Sequence, residues 1–209
     1  MAQFFSVHPD NPQQRLIKQA AAIVSEGGVA VYPTDSCYAL GCKLGDKDAM
    51  GRMRRIRQLD EKHHFTLVCR DLAEISRYAR VDNWQYRLVR ANTPGRYTFV
   101  LKATREVPRR LQDPSRNTIG LRVPDHAVAI ALAAELDEPI VSTSLILPGE
   151  SLPLNDPEDI RARLGRQVDV ILDAGPCGLG VTTVIDLTGD APVLLRRGEG
   201  DASAFGITD

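Results

Sequence analysis

The feature that most constrains this chain is the stretch from Gly27 to Leu44, where a glycine pair leads into Val29, Ala30, Val31 and Tyr32 and then into Pro33. Such a run reads as a short buried strand. Pro33 ends its ladder, because proline has no N–H to give and holds φ near one value. The chain must leave the sheet there, delivering Thr34, Asp35 and Ser36 at the strand's carboxyl end before a second apolar run begins. In open α/β sheets ligands bind at such ends, and hydroxyls beside a carboxylate suit a polar small molecule. The same residues also make an ordinary Asx-type turn, so local chemistry leaves both readings open.

Helix and strand patterns interleave through the rest of the chain. Asn11 caps and Pro12 opens a helix carrying Leu16, Ile17, Ala20, Ile23 and Val24, which ends at Gly27 or Gly28. Asp46 caps a second, with Ala49, Met50, Met53 and Ile56 on one face and arginines on the other. Residues 65–69 form a strand, Asp71 starts a short helix through Tyr78, and Asp82 caps another with Trp84 and Leu88. A strand at 97–102 precedes a polar, Arg-rich connection over 103–117 that holds Pro108 and Pro114 and reads as a surface loop. Residues 118–123 are again a strand stopped by proline, Asp125 caps a helix over 126–136, and 140–144 is a strand ending in three hydroxyls. Asp156 and Pro157 open a helix to Leu164, and strands at 168–172, 183–187 and 193–196 complete the set. The last two strands are too close for a helical crossover, so the sheet is mixed and the class is α/β.

A chain of 209 residues, 43% hydrophobic and 25% charged, reads as one ordinary globular domain over residues 1–209. No apolar run approaches the ~20 residues of a membrane span. Met1 to Phe5 carry neither a basic nor a sustained apolar region, so no secretory signal is read and the expected location is cytoplasmic. Cys37, Cys42, Cys69 and Cys177 show no metal-binding or paired spacing and are expected to be reduced thiols, Cys37 serving packing rather than catalysis. With 26 Lys+Arg against 27 Asp+Glu the net charge is -1, so nucleic acid could be held only by a local patch. Two clusters qualify, Arg52, Arg54, Arg55, Arg57 and Lys62, and Arg105, Arg109, Arg110 and Arg116, although each also reads as a solvated face.

Residues 33–41, Pro-Thr-Asp-Ser-Cys-Tyr-Ala-Leu-Gly, resemble the Pro-Thr-Asp/Glu-Thr-x-Tyr-Gly-Leu-Gly signature of the YrdC-like threonylcarbamoyl-AMP synthase family. Further segments agree in order: Thr93-Pro94-Gly95 leading to Thr98, Thr118 to Pro124, Pro139 to Ser144, Thr182 to Asp186, and Leu195 to Gly198. The resemblance covers nearly the whole chain. Phe4-Phe5, the run from His8 to Arg15 and Pro108 to Leu111 resemble the YciO branch most closely. It implies a twisted mixed sheet with flanking helices around a concave basic cleft. It also implies synthesis of threonylcarbamoyl-adenylate from L-threonine, bicarbonate or CO₂, and ATP, for tRNA threonylcarbamoyladenosine formation, with Mg²⁺ accompanying the nucleotide and no metal site in the protein.

Carried over position by position, the resemblance assigns Thr34, His63, Arg122, Ser142 and Thr182 to threonine. Arg122 would pair with its carboxylate bidentately. Arg57, Thr118, Ser144 and Arg196 match nucleotide-contacting positions, with Arg57 and Ser144 as the catalytic pair. The bland reading of His63 beside His64 is an exposed polar loop, and that of Arg122 is a surface arginine. The sequence departs from the family's Lys-x-Arg and Ser-x-Asn motifs: the preferred alignment sets Arg57 at the lysine, Leu59 at the arginine and Ile146 at the asparagine, whereas a shifted one makes Arg55 and Arg57 the pair but needs a gap and still leaves Ile146 unexplained. Arginine and lysine present charge differently, and a cation lost near a leaving pyrophosphate weakens transition-state stabilisation. Two functions therefore stand: an ATP-using synthase, weakened at Leu59 and Ile146, or a double-stranded RNA or rRNA binder of the same fold with a vestigial nucleotide pocket.

Overall fold

The computed structural model describes residues 1–61 and 63–207. Lys62, one member of the first basic cluster, lies outside the described residues. Among them, eleven strands join in one mixed sheet. Its spatial order is β1 (Gln3–Ser6), β9 (Val170–Asp173), β2 (Ala30–Pro33), β3 (Tyr38–Cys42), β8 (Ile140–Ser144), β4 (Thr66–Val68), β7 (Thr118–Arg122), β6 (Tyr97–Ala103), β10 (Thr183–Asp186) and β11 (Val193–Arg196), with β5 (Ala79–Arg80) paired to β6 off this path. The six helices are α1 (Gln14–Ser25), α2 (Lys47–Arg57), α3 (Leu72–Tyr78), α4 (Asn83–Ala91), α5 (Ala127–Leu136) and α6 (Pro157–Leu164). The architecture is the α/β mixed sheet with flanking helices expected from the sequence, and β10–β11 is the antiparallel pair that the short connection required.

The two faces of the sheet have different fates. On one, Val31, Leu40, Leu67, Leu121, Phe99 and Ile185 are buried with Ala49, Met50, Met53 and Ile56 of α2 in the larger core. On the other, Ala30, Tyr32, Ala39 and Val170 pack with Ile17, Val24, Val128 and Leu132 of α1 and α5 in a second core. Farther along that second face, Thr66, Gly120, Val100 and Val184 are only half-buried. The strand period of two thus gives β4, β7, β6 and β10 one core side and one open side. The open side is the floor of the cleft.

Helix starts follow side-chain chemistry closely. Asp46, Asp71 and Asp156 accept the backbone N–H of Ala49, Glu74 and Glu158, and Asp82 forms a capping box with Gln85. Two starts move. Gln13 precedes α1 with no side-chain cap, because its Oε1 accepts the N–H of His8 instead, and Asn11 and Pro12 stay in the preceding turn. His126 rather than Asp125 caps α5, its Nδ1 accepting from Val128 N. Strands β1, β3 and β5 have no counterpart in the sequence reading. The segment 103–117 is anchored by buried Val107 and Leu111, with a 3₁₀ turn at Arg109–Leu111. The four cysteines are free thiols, three of them buried. No helix of the described residues is long and apolar enough to cross a membrane.

Candidate active-site cleft

Strand register builds the site. Gly41 of β3 pairs with Ser142 of β8, Ser142 with Thr66 of β4, Thr66 with Gly120 of β7, and Gly120 with Val100 of β6, which sets these five residues in one row across the sheet. Beside that row, Val68 pairs with Arg122 and Thr98 with Val184. The functional side chains therefore stand on the face of the sheet rather than at a shared set of strand ends. Because β4 is antiparallel to β8 and parallel to β7, the carboxyl ends of β7 and β8 point to opposite edges. Arg122 reaches Asp35 and Ser36 across the face.

Thr34, Arg57, His63, Arg122, Ser142, Ser144, Thr182 and Arg196 all line one cavity of about 120 Å³. Thr118 lines an adjoining cavity of about 360 Å³ that shares Thr66, Thr98 and Arg196 with the first and is walled by Phe65, Leu111, Ile119 and Leu195. Ile146 lines the smaller cavity, whereas Leu59 lines neither. Gln58 takes the left-handed conformation that ends α2, Leu59 N bonds Arg54 O, and the leucine packs against the core. This is the apolar contact that accompanies such helix ends.

At the inner end, Arg122 forms an ion pair with Asp35, both side chains being less than a tenth exposed. Its Nη1 also donates to Ser36 Oγ at 3.2 Å, and its Nε is buried without a partner, as is Asp35 Oδ2. Thr34 makes the turn and faces the cavity. Its hydroxyl donates to Cys37 O at 2.7 Å and accepts from Ser36 N and Cys37 N at 3.2 Å, closing a turn while its side chain lines the cavity. Ser142 Oγ donates to Leu40 O at 3.2 Å and lies 2.6 Å from Tyr32 Oη. Thr182 Oγ1 accepts from Arg196 Nη2 at 3.0 Å and lies 2.9 Å from Thr98 Oγ1.

At the outer end, Arg57 projects from the last turn of α2, on the core side, around the end of β8. Its Nε donates to Ile146 O at 2.8 Å and its Nη1 to Thr143 Oγ1 at 2.5 Å. His63 Nε2 lies 3.2 Å from the same hydroxyl. Burial, then the neighbouring Arg57 and Arg54, hold the His63 imidazole down to about 4, so it is neutral near pH 7. Burial also lowers Arg57 and Arg196, to which the Arg196 charge adds at Arg57 and the Arg122 charge at Arg196. Both remain protonated, as guanidinium does. Three guanidiniums meet one carboxylate, Asp35, around one small cavity, which leaves it strongly electropositive. Burial raises the Cys37 thiol, so it is a packed thiol and not a ready nucleophile.

The structure adds residues that local pattern left without a role. Thr143 bridges Arg57 and His63, Thr98 supports Thr182, Thr66 forms floor, and Tyr32 reaches Ser142. Only the run of hydroxyls at 142–144 and the motif containing Thr98 signalled any of them.

Residues 22–198 match the Sua5/YciO/YrdC family model, described as telomere recombination. The chain is 60% identical over 205 residues to the uncharacterized protein YciO of Escherichia coli (strain K12), covering 98% of this chain and all of that one. The crystal structure of E. coli YciO superposes with a TM-score of 0.94 at 60% identity, over 98% of this chain and 100% of that one. The threonylcarbamoyl-AMP synthase of Halorhodospira halophila is 30% identical over 182 residues, 87% of this chain and 94% of that protein. The crystal structure of P. abyssi Sua5 complexed with L-threonine gives a TM-score of 0.86 at 25% identity, over 94% of this chain and 58% of that one. On the matched family model and these relatives, the chain belongs to the Sua5/YciO/YrdC family.

Proposed function

We propose that the protein is an L-threonylcarbamoyladenylate synthase of reduced rate, serving tRNA threonylcarbamoyladenosine formation in the cytoplasm. The observation that carries this reading is the pairing of two cavities. The smaller, electropositive one has the size and the Arg122, Ser142 and Thr182 groups for an amino acid, and the larger one has a part-apolar wall and Thr118 for a nucleotide. The threonine amine takes up CO₂ as a carbamate, whose oxygen attacks the α-phosphorus of ATP while pyrophosphate leaves. Arg196 lines both cavities and Arg57 the smaller one, and preorganised cations there lower the barrier as charge develops on the phosphates. Any Mg²⁺ would come with the nucleotide and supply charge neutralisation to its phosphates, because no cluster of metal-ligating side chains is found among the described residues. The rate is reduced because Ile146 gives the cavity no side-chain amide and Leu59, half-buried against the core, lines neither cavity. The test is pyrophosphate release from ATP and bicarbonate, with and without L-threonine. Release that depends on threonine is expected, and none under any condition overturns the reading.

A second reading has its own observation. Three further cavities adjoin through shared lining residues: Arg54 and Arg110 link the first two, and Arg109 links the second to one of about 1100 Å³ carrying Arg80, Lys102, Arg105 and Arg116. Arg54 is the one described member of the first basic cluster on this rim, since Arg52 pairs with Asp169 and Arg57 lines the small cavity, so the rim offered to the phosphates of double-stranded RNA or rRNA is chiefly the second cluster. Duplex RNA affinity that falls steeply with salt supports this reading through counterion release, and affinity indifferent to salt removes it.

A further inference from the structure

Tyr32 is fully buried in the core beneath α1 and α5, yet its hydroxyl is not spent on that core. The ring crosses from β2 over β3 at Gly41, where an added Cβ would come within 2.7 Å of Tyr32 Cε1. Gly41 is paired with Ser142, so the phenol arrives at Ser142 Oγ at 2.6 Å. Two protons share this pair of oxygens, and one arrangement satisfies both. Ser142 donates to Leu40 O, and Tyr32 donates to Ser142 Oγ. Reversing the Tyr32 bond would leave the buried phenol proton with no acceptor.

This arrangement fixes the polarity of Ser142 toward the cavity it lines. One lone pair takes the Tyr32 proton, the hydroxyl proton goes to Leu40 O, and what remains for a ligand is a single acceptor. Turning that proton into the cavity would set Ser142 Oγ against Leu40 O at 3.2 Å with no proton between them. Turning Ser142 to another rotamer would strand the buried Tyr32 proton. We propose that Tyr32 is a positioning residue that holds Ser142 as an acceptor only, so that the cavity selects a ligand presenting an N–H at this point and refuses its carbonyl isostere. The inference rests on the amino-acid reading of the cavity and deepens it. A neutral acceptor also orients the amine without stabilising its ammonium form as a carboxylate would, and the amine must shed a proton before it attacks CO₂. The nearby carboxylate, Asp35, is already held by Arg122.

Binding of L-threonine, L-2-aminobutanoate and 2-oxobutanoate to wild type and Tyr32→Phe tests this by calorimetry. Phenylalanine keeps the ring and removes only the hydroxyl, freeing Ser142 to turn and donate. Wild type is expected to prefer the amino over the oxo acid, and Tyr32→Phe to shrink that preference about tenfold, the scale of one buried hydrogen bond. A merely structural tyrosine would weaken both ligands alike and leave the ratio unchanged. An unchanged ratio in a folded variant that still binds L-threonine overturns the proposal and leaves the amino-acid site standing. Failure of wild type to bind L-threonine overturns both. Should Tyr32→Phe not fold, Ser142→Ala probes the same point: the preference is expected to collapse, and its retention overturns the proposal.

Discussion

The two ends of the small cavity hold their charge in opposite ways. At the inner end Arg122 meets Asp35 in a buried ion pair, and the hydroxyls of Thr34, Ser36 and Ser142 have partners inside the protein. At the outer end Arg57 and Arg196 rest on backbone carbonyls, Ile146 O and Thr182 O, and on threonine hydroxyls, with no ion pair to a carboxylate among the described residues. The first end has its charge paired before any ligand arrives, although Arg122 Nε and Asp35 Oδ2 keep no partner. The second is left with positive charge that an anion must neutralise. Ile146 belongs to this contrast, since its carbonyl holds Arg57 in place while its side chain gives the wall no polar group.

The contrast breaks most severely at the inner pair. Arg122→Ala leaves Asp35 buried and unpaired, and removing one partner of such a pair costs about 3–5 kcal/mol of stability. Denaturant unfolding measures this, and the double variant Asp35→Asn, Arg122→Ala should recover most of it without recovering L-threonine binding. At the outer end, Arg57→Lys with Ile146→Asn should raise adenylate formation on the order of 10²-fold, the usual worth of one well-placed donor at developing charge. Leu59 is best left alone there, because its side chain packs against the core. An unchanged rate would show that the outer end is already competent.

A smaller effect is expected from the backbone beneath Tyr32. Gly41→Ala drives a methyl into Tyr32 and Ile140, whose Cγ2 would lie 2.6 Å away, at a cost of about 1–3 kcal/mol for overpacking. Thermal unfolding beside wild type measures it. The smallest concerns His63. An imidazole held below its unfolded value of about 6.5 contributes stability that is complete above that pH and lost as pH falls toward about 4. Ligand-free protein should therefore weaken across that window more than His63→Gln does, and equal pH profiles would show that the ring is solvated.

Much of this was legible in residues taken locally. Asp46, Asp71, Asp82 and Asp156 specify their helix starts because a carboxylate and the N–H groups it serves are neighbours in sequence. Where two candidates competed, at Asn11 against Gln13 and at Asp125 against His126, the outcome turned on the approach of the chain to the helix. Thr34, Arg122 and Ser144 read in the sequence as three strand ends, yet they meet because they line one cavity over one face of the sheet.

By itself the sequence determined the strand that Pro33 stops, the mixed sheet, the alternation of core and open sides, and the segments that supply the cleft. These follow from period, capping and backbone chemistry, which act over a few residues. Only the tertiary structure decided that Gly41, Ser142, Thr66 and Gly120 share a row, that Leu59 turns inward while Arg57 reaches round β8, and that Tyr32 crosses a glycine to Ser142. Register joins residues far apart in the chain, and a hydroxyl's polarity depends on which carbonyl lies across the sheet. No local pattern carries either.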